Sequence, residues 1–181
     1  MILIINTSNN GIDLVLDDKF THIDADKQAV ILPTAVANFL QEHNTKWTDL
    51  TAIGIVVGPG SFTGIRLGIA YAKGLAIGLK IPVIPINAFE LYLAETPNAF
   101  VAIESGRGDF FVAAKNLEPC TMSIDDVETR QMNWPQTVGH KPFNLKLATN
   151  IVQEKLKNDK NEPVIPMYLR PSYAEEKSTG K

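Results

Sequence analysis

Eleven consecutive residues, Gly58-Pro59-Gly60-Ser61-Phe62-Thr63-Gly64-Ile65-Arg66-Leu67-Gly68, hold the ingredients of a phosphate-binding loop. A glycine-rich turn between a strand and a helix leaves backbone N–H groups free at the helix N-terminus, where an anion is favoured. Three chemistries can be tested on the spacing. A Walker-type loop needs Lys-Ser or Lys-Thr after the last glycine, and Ile65-Arg66 follows Gly64. A dinucleotide fingerprint suits the order of strand, glycines and helix, but it needs an acid at the end of the next strand, where Asn87 stands. A serine-nucleophile elbow needs a glycine two residues either side of Ser61, and those places hold Pro59 and Thr63. The three histidines, His22, His43 and His140, are too scattered to suggest a triad or a metal pair. Spacing therefore assigns no catalytic residue, no metal ligand and no cofactor.

The elements that must position this loop are legible. Ala52–Val57 is β-branched and apolar enough for a buried strand, and Phe62–Leu79 follows it with helical periodicity. That helix is apolar nearly all round. Gly64, Gly68 and Ala72 make a ridge of small residues at four-residue spacing, Ile65, Ile69 and Leu75 cover much of the rest, and Arg66, Lys73 and Lys80 fall seven apart on one narrow stripe. Each of the four glycines in the helix costs roughly 1 kcal/mol relative to alanine, a cost that makes sense where another backbone comes close. Asp26–His43 is also helical in pattern, with Leu32, Val36, Phe39 and Leu40 on one face and Pro33 expected to bend the helix or delay its start. An all-round apolar helix must be covered all round. The expectation is that the Gly64/Gly68/Ala72 ridge, with Ile65, Ile69 and Leu75 and the face Leu32/Val36/Phe39/Leu40, meets a partner chain as a four-helix packing. A bulky side chain at Gly68 should then weaken the complex and spare the monomer.

The remaining elements suggest two lobes. Met1–Asn6 and Ile12–Leu16 form a hairpin across Asn10-Gly11, followed by a brief strand at Phe20–Ile23. Val83–Ile86 is a strand between prolines, and Ala88–Glu95 a short helix. After Pro97-Asn98 the opening repeats in miniature: Phe100–Glu104, a glycine turn, and Asp109–Lys115, with Glu104-Ser105 opposite Asn6-Thr7. The expected division is 1–97 and 98–181. Ser123 should cap a helix, Leu145–Leu156 should be amphipathic, Pro163–Tyr173 should return as an irregular strand, and residues 174–181 should fray.

Composition narrows the class. With 181 residues, 45% of them hydrophobic, the chain can bury a core without metal or disulfide. No apolar run approaches the roughly 20 residues of a membrane helix, and the N-terminus lacks the pattern of a secretory signal. The single cysteine, Cys120, points to a reducing compartment, so the cytoplasm is expected. The net charge of −3 argues against a free-standing nucleic-acid binder. Residues 1–140 carry 9 Lys/Arg against 15 Asp/Glu and residues 141–181 carry 8 against 5, so any phosphate backbone would be met by the tail.

The eleven-residue segment resembles the signature of the TsaB (YeaZ) family. Ile2-Leu3-Ile4-Ile5-Asn6-Thr7-Ser8 resembles that family's first strand, Glu104–Val112 its second hairpin, and Pro166-Met167-Tyr168-Leu169-Arg170 its C-terminal segment. The resemblance implies an α/β, two-lobed actin/Hsp70-like (ASKHA) fold. It implies a non-catalytic subunit that pairs with a TsaD-like catalytic paralogue and, through it, a TsaE-like ATPase, to make threonylcarbamoyladenosine in tRNA next to the anticodon. It leaves room for a homodimer in isolation, for tRNA contact only within the complex, and for no membrane. Two departures stand out. The family's first strand usually ends in Asp-Thr-Ser where this chain has Asn6, which weakens ATP hydrolysis, and the second lobe looks compressed between Lys115 and Leu145. The catalytic paralogue's His-x-x-x-His motif is absent, since no two histidines are four apart. The competing expectation is a small ATPase or kinase-like phosphotransferase of the same fold using Gly58–Gly64. A protease has no nucleophile–base pair to support it.

Overall fold

The computed structural model describes residues 1–158 and 162–169. Its centre is a five-stranded sheet in the order β3-β2-β1-β4-β5, built from β1 (Ile2–Asn6), β2 (Ile12–Leu16), β3 (Lys19–Ile23), β4 (Ala52–Val56) and β5 (Val83–Ile86). β1 runs antiparallel to β2 with Leu3 opposite Leu16, and parallel to β4 with Leu3 opposite Ile53. Because strand side chains alternate, β1 feeds two cores. Leu3 and Ile5 join Ile53 and Ile55 under α1 (Gln28–Glu42) and α2 (Phe62–Leu79), while Ile2 and Ile4 join Val56 and Ile86 under α5 (Ala148–Lys157). A sheet buried on both faces needs near-continuous apolar strands, and β1 and β4 are buried at every residue.

The first hairpin turns through five residues, 7–11, wider than a two-residue Asn-Gly turn. Gly11 is needed there: its φ is +82°, and a Cβ on it would stand 2.6 Å from the Ile23 carbonyl oxygen. α1 continues through Pro33 without a break. Both Pro33 and Ala29, whose carbonyl loses its helical donor, are exposed, so water can satisfy the freed oxygen.

The second sheet has the order β8-β7-β6-β9, from β6 (Phe100–Glu104), β7 (Asp109–Ala114), β8 (Leu117–Ser123) and β9 (Thr137–Val138). It repeats the arrangement of the first, since β6 lies antiparallel to β7 and parallel to β9 just as β1 lies antiparallel to β2 and parallel to β4. It is one strand shorter, and β9 has two residues. α3 (Ala88–Glu95) packs Phe89 and Tyr92 on Val101 and Ala113, and α4 (Ile124–Gln131) seals the opposite face with Val127. Ser123 caps α4, its hydroxyl accepting from the Asp126 amide, with Asp125 and Asp126 in the positive first turn.

Two expectations need correction. The 97/98 boundary assigns α5 to the second lobe, yet Ala148 and Val152 pack on the first sheet, where Gly54 leaves room for Val152. Amphipathicity gave α5 a face to bury but could not say under which sheet. Residues 163–169 form no strand; they cross the molecule as an extended segment, and 170–181 lie outside the described residues.

Candidate functional site

The loop that the sequence singles out is folded onto the first hairpin. Gly58, before a cis Gly58–Pro59 peptide, takes φ +112°. Its carbonyl accepts from the Ala88 amide at 2.7 Å, which joins the loop to α3. At Gly60 the backbone lies against Ser8, so that a Cβ would stand 2.5 Å from the Ser8 carbonyl oxygen. That same oxygen accepts the Ser61 N–H at 2.7 Å, and the Ser61 hydroxyl accepts the Gly64 N–H at 3.3 Å as N-cap of α2. Two donors that an anion would need are thus already taken. The Asn87 side chain accepts from the Glu90 amide at 2.8 Å, and the Glu90 carboxylate accepts from the Asn87 amide at 2.8 Å. Asn87 is a helix cap, not a substitute ribose ligand.

The amide at position 6 has a structural use. Buried Asn6 donates from Nδ2 to Asp13 Oδ2 at 2.8 Å, while its Oδ1 accepts from the Ser8 amide at 3.0 Å and the Ser8 hydroxyl at 2.7 Å. Asp13 carries the chain outward, its Oδ1 lying 2.6 Å from His22 Nδ1, and His22 Nε2 lies 3.2 Å from Asp24. A neutral imidazole donates through one nitrogen only. A carboxylate at each nitrogen favours the charged ring, and hydrogen bonding to Asp13 and then Asp24 raises the His22 pKa. Neither nitrogen is left to act as a base. Gln28, at the start of α1, closes the loop from above by donating to the carbonyls of Asn9 at 3.0 Å, Thr7 at 3.3 Å and Gly11.

α2 lies the other way round from the sequence expectation. Leu32, Val36, Phe39, Leu40, Ile65, Ile69 and Ala72 are buried in the chain's own core under the sheet, and Leu75 is half-buried against it. Gly64 does accommodate a close backbone, that of Thr7 in the first hairpin, while Gly68 makes room for the Thr7 side chain. Thr7 donates its hydroxyl to the Gly64 carbonyl at 2.7 Å, and a Cβ at Gly68 would collide with the Thr7 hydroxyl and stand 3.0 Å from Ile55 Cδ1. The seven buried side chains and the two buried glycines face the chain's own core rather than solvent. The solvent-facing side of the same helices carries Val30, Pro33 and Ala37 on α1 and Ala70, Lys73, Gly74, Ile77 and Gly78 on α2. Val30 is 72% exposed and Ile77 79%. A Cβ on Gly74 or Gly78 would meet nothing within 4 Å.

Arg66 is not simply a solvated charge. Its guanidinium carbon stands 3.7 Å from the centroid of the Phe62 ring, and Nε donates to the Tyr168 hydroxyl at 2.8 Å. Tyr168 belongs to the extended segment, which is fixed on both lobes. The Met167 amide donates to the Val57 carbonyl at 2.8 Å, and the Thr121 hydroxyl to the Leu169 carbonyl at 3.1 Å. At the segment's start Glu162 meets Lys155 at 2.8 Å. That buried ammonium also contacts Glu90 at 2.8 Å and donates to the Pro85 carbonyl at 2.9 Å. A cleft of about 500 Å³ lies between this segment and the ends of β4 and β5. Sequence reasoning missed Lys155, Glu162 and the His22 cluster, whose partners lie in other elements. Arg66 and Tyr168 were each noticed, but nothing linked them.

Residues 22–165 match the family model described as TsaD: tRNA N6-adenosine threonylcarbamoyltransferase. The tRNA threonylcarbamoyladenosine biosynthesis protein TsaB of Escherichia coli (strain K12) is 46% identical over 57 residues, 32% of this chain and 24% of that protein. Its namesake from Haemophilus influenzae is 33% identical over 124 residues, 61% of this chain and 51% of that protein. The chain spans about half or less of the length of these relatives. A crystal structure of an uncharacterized protein with similarity to peptidase YEAZ from Pseudomonas aeruginosa superposes with a TM-score of 0.72 at 16% identity, over 93% of this chain and 99% of that one. At that identity the likeness is one of fold, and the fold is the two-lobed actin-like architecture that the repeated sheets display. No helix among the described residues is long and apolar enough to cross a membrane.

Proposed function

Because the chain belongs to the TsaD-type family, and within it to the TsaB/YeaZ group, we propose that it is a non-catalytic binding subunit in the biosynthesis of threonylcarbamoyladenosine in tRNA. Its partner is a TsaD-like catalytic subunit, which links it to a TsaE-like ATPase; tRNA is met only inside that assembly, in the cytoplasm. The observation that carries this is the outer face of α1 and α2, where Val30 and Ile77 stand exposed and Gly74 and Gly78 offer bare backbone. Glycines inside an exposed helix cost about 1 kcal/mol each relative to alanine, and nothing among the described residues uses the space they leave. The groups that a phosphotransferase would need are engaged internally. Ser61 N–H and the Ser61 hydroxyl serve the loop, and Asn6 serves the hairpin.

The test is co-purification with the catalytic subunit from the same organism. Gly74→Leu and Ile77→Glu should abolish capture while the isolated chain still unfolds cooperatively, Gly74→Leu at the same or a higher temperature. Normal capture by both variants would remove this face from the interface.

A further inference from the structure

Three consecutive residues of the extended segment hold three different elements. The Met167 amide donates to the Val57 carbonyl at the end of β4, the Tyr168 hydroxyl accepts from Arg66 of α2, and the Leu169 carbonyl accepts from Thr121 of β8. The first two elements belong to the first lobe and the third to the second. The apolar side chains follow the same division. Val164 packs on the α1/α2 core, Leu169 on the core of Phe89, Tyr92, Val101 and Ala113, and Met167 on both. The segment is a strap across the junction of the lobes.

Its hold rests on separate points rather than on continuous pairing. Pro163 and Pro166 have no amide to donate, and neither has Pro85 of the edge strand β5, so the strap cannot zip onto the sheet as a sixth strand. The cleft of about 500 Å³ separates it from the ends of β4 and β5. Its two ends are held differently. Glu162 meets the buried Lys155 ammonium, whereas Tyr168 meets the exposed Arg66. The stack around Arg66 is itself open to water: Phe62 is 49% exposed and Tyr168 53%, with their rings 5.8 Å apart. An end held by exposed contacts opens before an end held by buried ones.

We infer that residues 162–169 are a latch that holds the two lobes in one arrangement, with Arg66 as its catch. A planar guanidinium suits this place, because its face stacks on Phe62 while Nε, at its edge, donates to Tyr168. When the catch opens, Tyr168 swings out about the Glu162 end, Met167 leaves the two cores it joins, and the lobes gain freedom relative to each other. Arg66 is thus a positioning residue within the signature segment. A subunit that works by presenting a surface, as proposed above, is served by lobes already set, since order present beforehand costs nothing on binding.

Two measurements on the isolated full chain test this, apart from the fate of any interface. In hydrogen exchange, Arg66→Ala and Tyr168→Ala should each speed the Met167 amide about tenfold or more and leave the β1 and β4 amides unchanged, which a general loss of stability would not do. The double variant should open no further than either single one, because the two residues form one catch. Spin labels on Asp18→Cys and Glu128→Cys, in a Cys120→Ser background, report the distance between the lobes. Its distribution should be narrow in the otherwise unmodified chain and broader with Arg66→Ala. Tyr168→Phe, which removes only the hydroxyl, should act in the same direction and carries the test if an alanine variant fails to fold. Unchanged exchange at Met167 overturns the latch. Faster exchange with an unchanged distance distribution overturns it too, because the lobes are then held by other contacts.

Discussion

The buried hydroxyl of Thr7 donates to the carbonyl oxygen of Gly64 at 2.7 Å, across 57 residues of sequence. This bond sets the distance between the first hairpin and α2, and it explains why the helix carries glycine at 64 and 68. The signature segment preserves a seam between two elements of one chain.

Gly68→Leu is consequently expected to damage the isolated protein. The side chain meets Thr7 and Ile55, and overpacking of this kind costs roughly 1–3 kcal/mol. Chemical denaturation of the variant chain checks it; an unchanged midpoint would contradict the seam. Thr7→Val, which keeps the shape and removes the donor, should cost about 1 kcal/mol.

Asn6→Asp should destabilise at neutral pH. The amide that donates to Asp13 becomes a carboxylate beside a carboxylate, in a buried site. Losing the bond and adding the repulsion should cost about 2 kcal/mol or more. The deficit should shrink in acid, where a protonated carboxyl can donate in the amide's place. Thermal unfolding of both forms at pH 7 and pH 4.5 separates the two cases.

His22 should impose a mild pH dependence. Its pKa is raised in the folded chain by hydrogen bonding to Asp13 and Asp24, so the folded state binds the proton more tightly than the unfolded one. The resulting stabilisation is fully present below the ordinary histidine value of about 6.5 and is lost as pH rises through the folded value. Unfolding of the native chain and of His22→Gln, compared between pH 5.5 and 8.5, should show this component only in the native chain. A parallel pH response would contradict the two-carboxylate clamp.

Lys155→Met should leave Glu90 and Glu162 facing each other without the ammonium between them. Removing one partner of a buried pair is costly, and the partial exposure of both glutamates reduces the loss to about 1–3 kcal/mol. Hydrogen exchange should become faster around Glu162 and at the Asn87 cap, and slow exchange at both would contradict the role assigned to Lys155.

The sequence predicts most elements correctly where a strong period or a turn signal exists. The β1–β2 hairpin, α2 and the Ser123 cap fall where alternation, helical spacing and capping chemistry place them. β8 was not foreseen, because Glu118 and Pro119 interrupt its apolar pattern, and β9 is too short to carry any pattern. For the site, a helical pattern shows which residues share a side but not which side the sheet covers. A close backbone is met at Gly64 alone, and only the fold shows that it belongs to Thr7, whose side chain is what Gly68 accommodates. Asp13 and His22 meet because β2–β3 register places them opposite each other, and Arg66 and Tyr168 meet across 102 residues. Neither pairing leaves a local trace.

The placement of α5 has a consequence for the order in which the protein can be completed during synthesis. The first sheet can close its α1/α2 face once the chain has emerged to about Leu79. Its other face, with Ile2, Ile4, Val56 and Ile86, waits for Ala148 and Val152. For the time the ribosome takes to add some seventy residues, a finished sheet presents a naked apolar surface, the kind of intermediate that chaperones hold and that aggregates when they do not. Yield in the cell should therefore depend on what happens to the nascent first lobe before its last helix arrives.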